Sequence, residues 1–334
     1  MNKSSRQGWV GLVAAKAIRL VLVLLTVAIV AFALTKNSPV DPINAYLGAD
    51  IARVGPEQRA LIAEKWGFDQ PAITQFWRWG QNLLAGDLGY SMTYNAPVAD
   101  VLVARFYASL PLMTLAWLFS GILGFTLGVV AGAFAGSWAD RAIRLYAYVL
   151  ASTPTFWLAI MLLVVFAVGL NWAPVCCAAP IGVLPEDVTL LDRARHLALP
   201  LSALSVLGIA QIALHTRAKM IEIMQSDYAL YARAQGASRM DIALRHGARN
   251  AALPAVTVLF ASLGELFGGS VLAEQVFSYP GLGKATVEAG IRGDVPLLLA
   301  ITLALTFVVF LGNSIADLLY RLVDPRMASG VRIA

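Results

Sequence analysis

Apolar residues gather into six runs, each long enough to cross a bilayer as a helix, since a span needs about 20 mostly apolar residues. They fall at about residues 17–35, within 106–139, within 145–172, and at about 197–216, 253–277 and 295–316. Residues 106–139 contain no charged side chain. That run and the one within 145–172 exceed a single span, which predicts tilted or overhanging helices. The predicted fold is all-α, a polytopic bundle of six transmembrane helices. Inside the second run, Gly124, Gly128, Gly132 and Gly136 recur every four residues. On a helix they form one smooth stripe along which another backbone can approach closely. The helices are therefore expected to pack against one another rather than stand as separate anchors.

The polar segments divide the chain. Residues 1–35 form an N-terminal tail and the first span, 36–105 a small helical segment outside the membrane, and 106–334 a transmembrane core with a cytoplasmic loop at 217–252. In the outer segment, Pro56 suits a first helical position, Glu57 favours a helix start and Gly67 closes the helix. Pro71 opens a second helix with Ile73, Phe76 and Leu83 at helical spacing, and Gly86 ends it. Trp66, Trp77 and Trp79 suit either the membrane interface or the packing of this small cap.

The stretch 217–254 is polar yet punctuated like structure. Ser226 or Asp227 can cap a short helix over 228–235, and Gly236 ends it, because glycine accepts left-handed dihedrals at little cost. Ser238 followed by Asp241 is a start signal of the capping-box kind. The second helix is expected to run to Asn250, with Pro254 opening the fifth span. On the first helix Tyr228, Tyr231, Ala232 and Gln235 share a face at i, i+3, i+4 spacing. Two tyrosines and a small residue on an exposed helix suit insertion into a partner's groove.

Composition sharpens the class. Hydrophobic residues make up 59% and charged residues 13%, about half the charged share of a soluble domain, which is roughly 25%. This excludes a water-soluble globule. The net charge of +5 is positional. With the N-terminus inside and the spans alternating, 15 of the 25 Lys and Arg residues fall on cytoplasmic segments, and six of the other ten lie in the one long outer loop. The positive-inside rule then puts both termini in the cytoplasm. No nucleic-acid partner is needed to explain the surplus, and the terminal basic clusters suit lipid headgroups. Lys16 and Arg19 ahead of an apolar run, with Ala31-Phe32-Ala33 as a cleavage site, also have the look of a signal peptide. Cleavage would leave five spans in the same orientation. The run continues through Leu34, long for a signal, so a retained first span is expected.

Cys176 and Cys177 are neighbours in an outer loop of about 173–196. Adjacent Cα atoms sit about 3.8 Å apart, closer than disulfide geometry usually permits, so the pair is expected to be unbridged. Soft thiolates suit nickel or copper, but no His or further Cys is close in sequence. Packing as small apolar side chains is the favoured reading. His196, His215 and His246 form no H-E-x-x-H motif. No metal site is expected.

The run Tyr231-Ala232-Arg233-Ala234-Gln235-Gly236, followed by Arg245-His246-Gly247-Ala248-Arg249-Asn250-Ala251-Ala252-Leu253-Pro254, resembles the signature loop of ABC importer permease subunits. It is most similar to the branch for dipeptides, oligopeptides and nickel. Gly67-Phe68-Asp69-Gln70-Pro71, Gly86-Asp87-Leu88-Gly89-Tyr90-Ser91 and Pro97-Val98 resemble that family's first outer loop. Phe277-Ser278-Tyr279-Pro280-Gly281-Leu282-Gly283 and Asp324-Pro325-Arg326 resemble its later segments. The general importer motif opens with Glu-Ala-Ala, where this chain has Leu230-Tyr231-Ala232. The resemblance implies a multi-pass protein of a prokaryotic inner membrane. Tyr228, Tyr231, Ala232, Arg233, Ala234, Gln235 and Gly236 would form a coupling helix docking on an ATP-binding subunit. The implied partners are two such subunits, a second permease and an extracytoplasmic solute-binding protein. The implied cargo is a di- or oligopeptide, with nickel or a metal chelate as the alternative.

The chain carries no catalytic motif of its own. A Walker A loop needs G-x-x-x-x-G-K-[ST]. Residues 278–285 come nearest and fail at the first and last positions. ATP and Mg are therefore expected on a partner, with no cofactor in this chain. Intramembrane charges default to function. Glu265, flanked by Gly264, Gly268 and Gly269, and Glu274, near the outer end, lie in the fifth run, and both are expected to face a central pathway or the neighbouring permease. Glu265 either meets a cationic substrate group or bridges helices by a hydrogen bond. Gln211, His215, Asn313 and Asp317 are weaker candidates. An intramembrane enzyme would need two apposed carboxylates or a nucleophile with its base. The nine-residue spacing of Glu265 and Glu274 does not place both at one helical site.

Overall fold

The structure, a computed structural model, describes residues 3–39, 41–47, 54–67 and 69–323. Asp324-Pro325-Arg326 and Phe68 lie outside the described residues. The chain divides into two compact units, residues 1–108 with 281–310, and residues 109–280 with 311–334.

The first unit holds α1 (Lys3–Lys36), α2 (Pro42–Leu47), α3 (Pro56–Trp66) and α4 (Ala72–Leu84). The punctuation works as expected. Pro56 sits at the start of α3, and Gly67 ends it in the left-handed region at φ 69°. Pro71 precedes α4, and Gly86 follows it at φ 85°. Phe76 of α4 meets Phe32 of α1 edge to face, with ring centroids 5.1 Å apart. Trp79 lies 5.7 Å from Phe76 while Trp77 is exposed. A two-residue hairpin pairs β1 (Tyr90–Ser91) with β2 (Ala96–Pro97). α13 (Leu282–Ile291) and the start of α14 (Val295–Val323) complete this unit. Fully buried Asp294 locks the hairpin to the start of α14. Its carboxylate accepts from the Ser91 hydroxyl at 2.6 Å, the Thr93 N–H at 2.9 Å and the Leu297 N–H at 3.3 Å. The Tyr94 phenol donates to Glu288. Burial, and then that bond, raises its pKa above the ordinary range.

The second unit is built around α8 (Leu190–Met224), which begins at a reciprocal Thr189–Asp192 capping box. α5 (Val98–Ala133) lies against it along the glycine stripe. A Cβ at Gly124 would stand 2.8 Å from Cβ of Ile212, and one at Gly128 would stand 2.7 Å from the Ala213 carbonyl. One at Gly132 would collide with Met220. Gly136 departs from the expectation. It lies beyond the end of α5, takes φ 84° and meets nothing a side chain would touch. It serves a left-handed turn, not helix packing, and its N–H donates to Asp140 at 2.8 Å.

Among the described residues four helices are long and apolar enough to span a membrane, and the count reaches six if each of two bent pairs is one span. The third run is not one tilted helix. α6 (Trp138–Ala151) and α7 (Thr155–Leu162) meet at 104° across residues 152–154, and a π-helical stretch (Leu163–Gly169) follows. Pro154 explains the break, because proline disfavours α conformation in the residue before it. The fifth span differs as well. After α10 (Arg239–Asp241) and a π-helical stretch (Ile242–Gly247), the apolar span begins at Pro254 as expected, but the proline lies inside α11 (Ala248–Ala261) rather than at a helix start. Interior prolines are tolerated in membrane helices, where neighbouring groups satisfy the freed carbonyl. α12 (Leu263–Val276) continues at a 45° bend.

Cys176 and Cys177 are bridged to each other, with Cα atoms 3.8 Å apart, contrary to the unbridged expectation. Cys177 takes φ 77°, which turns its side chain back toward its neighbour.

Candidate functional site

Two places in the second unit carry the chemistry. The first is the turn after α8. α9 (Asp227–Ala234) is short and ends at Gly236, whose φ of 89° only glycine adopts readily. The Gly236 N–H donates to the Arg233 carbonyl at 3.0 Å and the Ala237 N–H to Ala232 at 3.1 Å, which closes the helix end. Ser238 and Asp241 then form a complete capping box. The Ser238 hydroxyl and N–H hold the Asp241 carboxyl below its usual range.

One face of α9 is fixed. Ala229 is fully buried in a cluster with Met220, Ile223, Met224, Ile242 and Ala243, and Ala232 packs partly against it. The Tyr228 hydroxyl accepts from Asn250 Nδ2 at 3.3 Å. The other face is open, with Tyr231 67% and Leu230 52% exposed beside Arg233, Ala234 and Gln235. Ala232 therefore leans on its own core, and Leu230 takes its place beside Tyr231. The i, i+3, i+4 spacing puts Ala232 on the partner-facing side with Tyr231, and the structure turns it toward the bundle instead.

The second place is a cavity of about 220 Å³. The bend at Ser262 places Glu265 in the first turn of α12, on the cavity wall. Thr153 and Thr155 reach it from the break between α6 and α7, Gln211 from α8, and Trp117 and Ser120 from α5. The wall is braced. Trp117 Nε1 donates to the Leu259 carbonyl at 3.0 Å, and its ring meets Phe260 edge to face at 5.0 Å. The Ser120 hydroxyl donates to the Ser205 carbonyl at 3.1 Å. Glu265 is the acidic residue of this lining.

Glu274 does not join it. Its side chain is fully buried and accepts from the Ser109 hydroxyl at 2.6 Å. Nine residues along a helix is roughly half a turn around it, so a cavity facing Glu265 faces away from Glu274. The pathway expectation fails for Glu274, which joins α12 to α5. Gln211 lines the cavity, whereas His215, Asn313 and Asp317 do not. Among the described residues no group of three His, Cys, Asp or Glu could hold a metal ion.

One charged pair escaped the reading of the sequence. Asp140 is fully buried and takes a two-pronged hydrogen bond from Arg217, whose Nη2 donates at 2.9 Å. This ties α6 to the end of α8 that leads into α9. The Ser137-x-x-Asp140 spacing, a helix start, was the available signal. It marks a cap and says nothing of a partner 77 positions away.

A sequence model of the family described as binding-protein-dependent transport system inner membrane component matches residues 124–329. The chain belongs to this family. A second model, for the N-terminal region of such membrane components, matches residues 11–113. The oligopeptide transport system permease protein AppB of Bacillus subtilis is 32% identical over 306 residues, covering 91% of this chain and 95% of that protein. The di/tripeptide transport system permease protein DppB of Pseudomonas aeruginosa is 34% identical over 316 residues, covering 90% and 94%. Family membership makes the apolar helices those of a transport component of the inner membrane. It also makes α9 and the Glu265 cavity parts of a permease.

Proposed function

We propose that this chain is the permease subunit through which di- and oligopeptides cross the cytoplasmic membrane in an ATP-driven importer. The observation that carries this reading is the near full-length similarity to permeases named for oligopeptide and di/tripeptide transport. The cavity agrees with it. One carboxylate among hydroxyl, amide and indole groups offers a partner for a peptide ammonium without demanding a particular side chain. The nickel alternative gains nothing from those relatives.

In this reading both termini face the cytoplasm, and α9 inserts Tyr231 and Leu230 into a groove of an ATP-binding subunit. A second permease completes the pathway, two ATP-binding subunits lie below, and a solute-binding protein delivers cargo from outside. Closure of the ATP-binding subunits moves α9, and the Asp140–Arg217 pair passes that motion from α8 to α6. Deleting the chain from its host should abolish growth of an amino-acid auxotroph on a di- or tripeptide containing the missing residue. Nickel-dependent enzyme activity at limiting nickel should stay unchanged. Unimpaired peptide growth with lost nickel activity would replace the peptide reading by the nickel one.

A further inference from the structure

The bridged pair Cys176–Cys177 has no part in the transport scheme above, yet it sits at a mechanical junction. A single peptide unit lies between the two cysteines, and it is held from both sides. Its carbonyl, that of Cys176, accepts from Nδ1 of His196 at 2.8 Å. Its N–H, that of Cys177, donates to the carbonyl of Phe277 at 2.9 Å. His196 belongs to the first turns of α8, and Phe277 ends α12. One peptide plane thus joins two helices that both line the Glu265 cavity. Phe277 itself is buried with Ala159, Ala167, Leu199 and Ala203, so its carbonyl is a fixed anchor. Cys177 sits at φ 77°, a region that side-chain-bearing residues keep only where their surroundings hold them. The ring closed by the bridge is such a restraint. Both cysteines are half-buried, within reach of a small thiol reagent.

We propose that the Cys176–Cys177 disulfide is a redox latch: oxidised, it holds the end of α12 to the start of α8, and reduced, it releases them and slows transport. The reductant is an external dithiol. One of its thiolates attacks a sulfur of the pair, the S–S bond breaks and a mixed disulfide forms. Its second thiolate then displaces the cysteine. Two electrons pass to the protein, which ends with two thiols after taking up two protons, and the dithiol leaves as a disulfide. With the ring open, Cys177 is free to return to negative φ, and its N–H leaves Phe277. In the orientation proposed above the loop faces the oxidising side, where disulfides persist. The latch rests on that reading.

The test uses the full-length chain with its partner subunits in its own membrane. Maleimide labelling should modify neither cysteine before treatment with dithiothreitol and both after it. Hydrogen exchange at the Cys177 amide should accelerate at least tenfold on reduction. Uptake of a labelled tripeptide should fall several-fold and recover after reoxidation with a disulfide. Cys177→Ala removes the bridge and, like the reduced cysteine, favours negative φ. It should insert normally, transport at the reduced rate and ignore dithiothreitol. Two reactive thiols before any reductant, or a reduced protein with unchanged exchange and uptake, would overturn the latch. Thiol counts and exchange need no substrate, so they decide the latch even if the peptide reading fails.

Discussion

The seam between α5 and α8 and the short helix α9 use glycine for opposite ends. Along the seam, Gly124, Gly128 and Gly132 are there for the absence of a side chain, because a Cβ would strike Ile212, Thr216 or Met220. At the end of α9, Gly236 meets nothing within reach of a Cβ and is there for its φ of 89°. The first region is finished within one chain. The second is finished on its inner face, at Ala229, and left open at Leu230 and Tyr231. A membrane bundle satisfied by its own packing can present a short helix to a partner without depending on that partner to fold. The contrast separates stability from coupling, and the substitutions below test on which side each residue falls.

The largest effect is expected in the seam. Gly128→Leu would drive a side chain into Thr216 and the Ala213 carbonyl. Overpacking of this kind costs about 1–3 kcal/mol, and more against backbone. The thermal midpoint of the detergent-solubilised chain should drop and the yield with it. An unchanged midpoint would mean that the two helices can separate freely.

Next comes the open face. Tyr231→Ala should weaken association with the ATP-binding subunit by about 2 kcal/mol, roughly 30-fold, the scale of an aromatic anchor. Gly236→Val should act in the same direction by re-aiming α9. Tyr231→Ala should not move the thermal midpoint of the chain alone, whereas Gly236→Val should lower it, because a β-branched residue at φ 89° is strained and α9 is anchored by buried Ala229. A lower midpoint for Tyr231→Ala without loss of association would transfer α9 to the structural side.

The two carboxylates of α12 sharpen the comparison within one helix. Glu265→Gln should leave the midpoint in place and lower uptake of peptides bearing a free ammonium, with little effect on N-acetylated ones. Glu274→Gln should do the reverse, destabilising the fold by about 1 kcal/mol as a buried hydrogen bond is remade less well, seen as a lower midpoint, with transport per folded molecule retained. Equal behaviour of the two would remove the distinction between cavity wall and helix joint.

The smallest effect concerns the cap after Gly236. Ser238→Ala should cost the helix start about 1 kcal/mol, seen as faster hydrogen exchange over residues 239–242. The Asp241 pKa is lowered in the folded protein. Its contribution is thus present above the unfolded carboxyl value, about 3.9, and lost as pH falls through the folded value below that. Protection at this turn, corrected for intrinsic rates, should be level from pH 7 to 5 and decline only under about pH 4. A decline near pH 6 would implicate another group.

What the sequence made legible was local. Pro56, Gly67, Gly86, Gly236 and the Ser238–Asp241 pair each act within one helical turn, so their types and spacing suffice. Six apolar runs follow from bilayer thickness alone. What stayed hidden depends on residues far apart in the chain. Ser109 seals Glu274 across 165 positions, and Arg217 meets Asp140 across 77. Pro154 breaks a span while Pro254 rides inside a helix, and only the neighbours available to satisfy the backbone separate the two cases. The face of Ala232 was misread for the same reason, since spacing gives a face but not what lies beside it.

The central claim, that the open face of α9 is where ATP-binding subunits engage, is tested most directly by a photo-crosslinking residue at Tyr231. It would be placed in the full-length chain, in membranes containing the whole transporter. Ile122, exposed on α5, serves as the control position. Irradiation should join the chain to the ATP-binding subunit from Tyr231 and not from Ile122. A transport-competent complex that yields no such adduct from Tyr231, or yields it equally from Ile122, would contradict the claim.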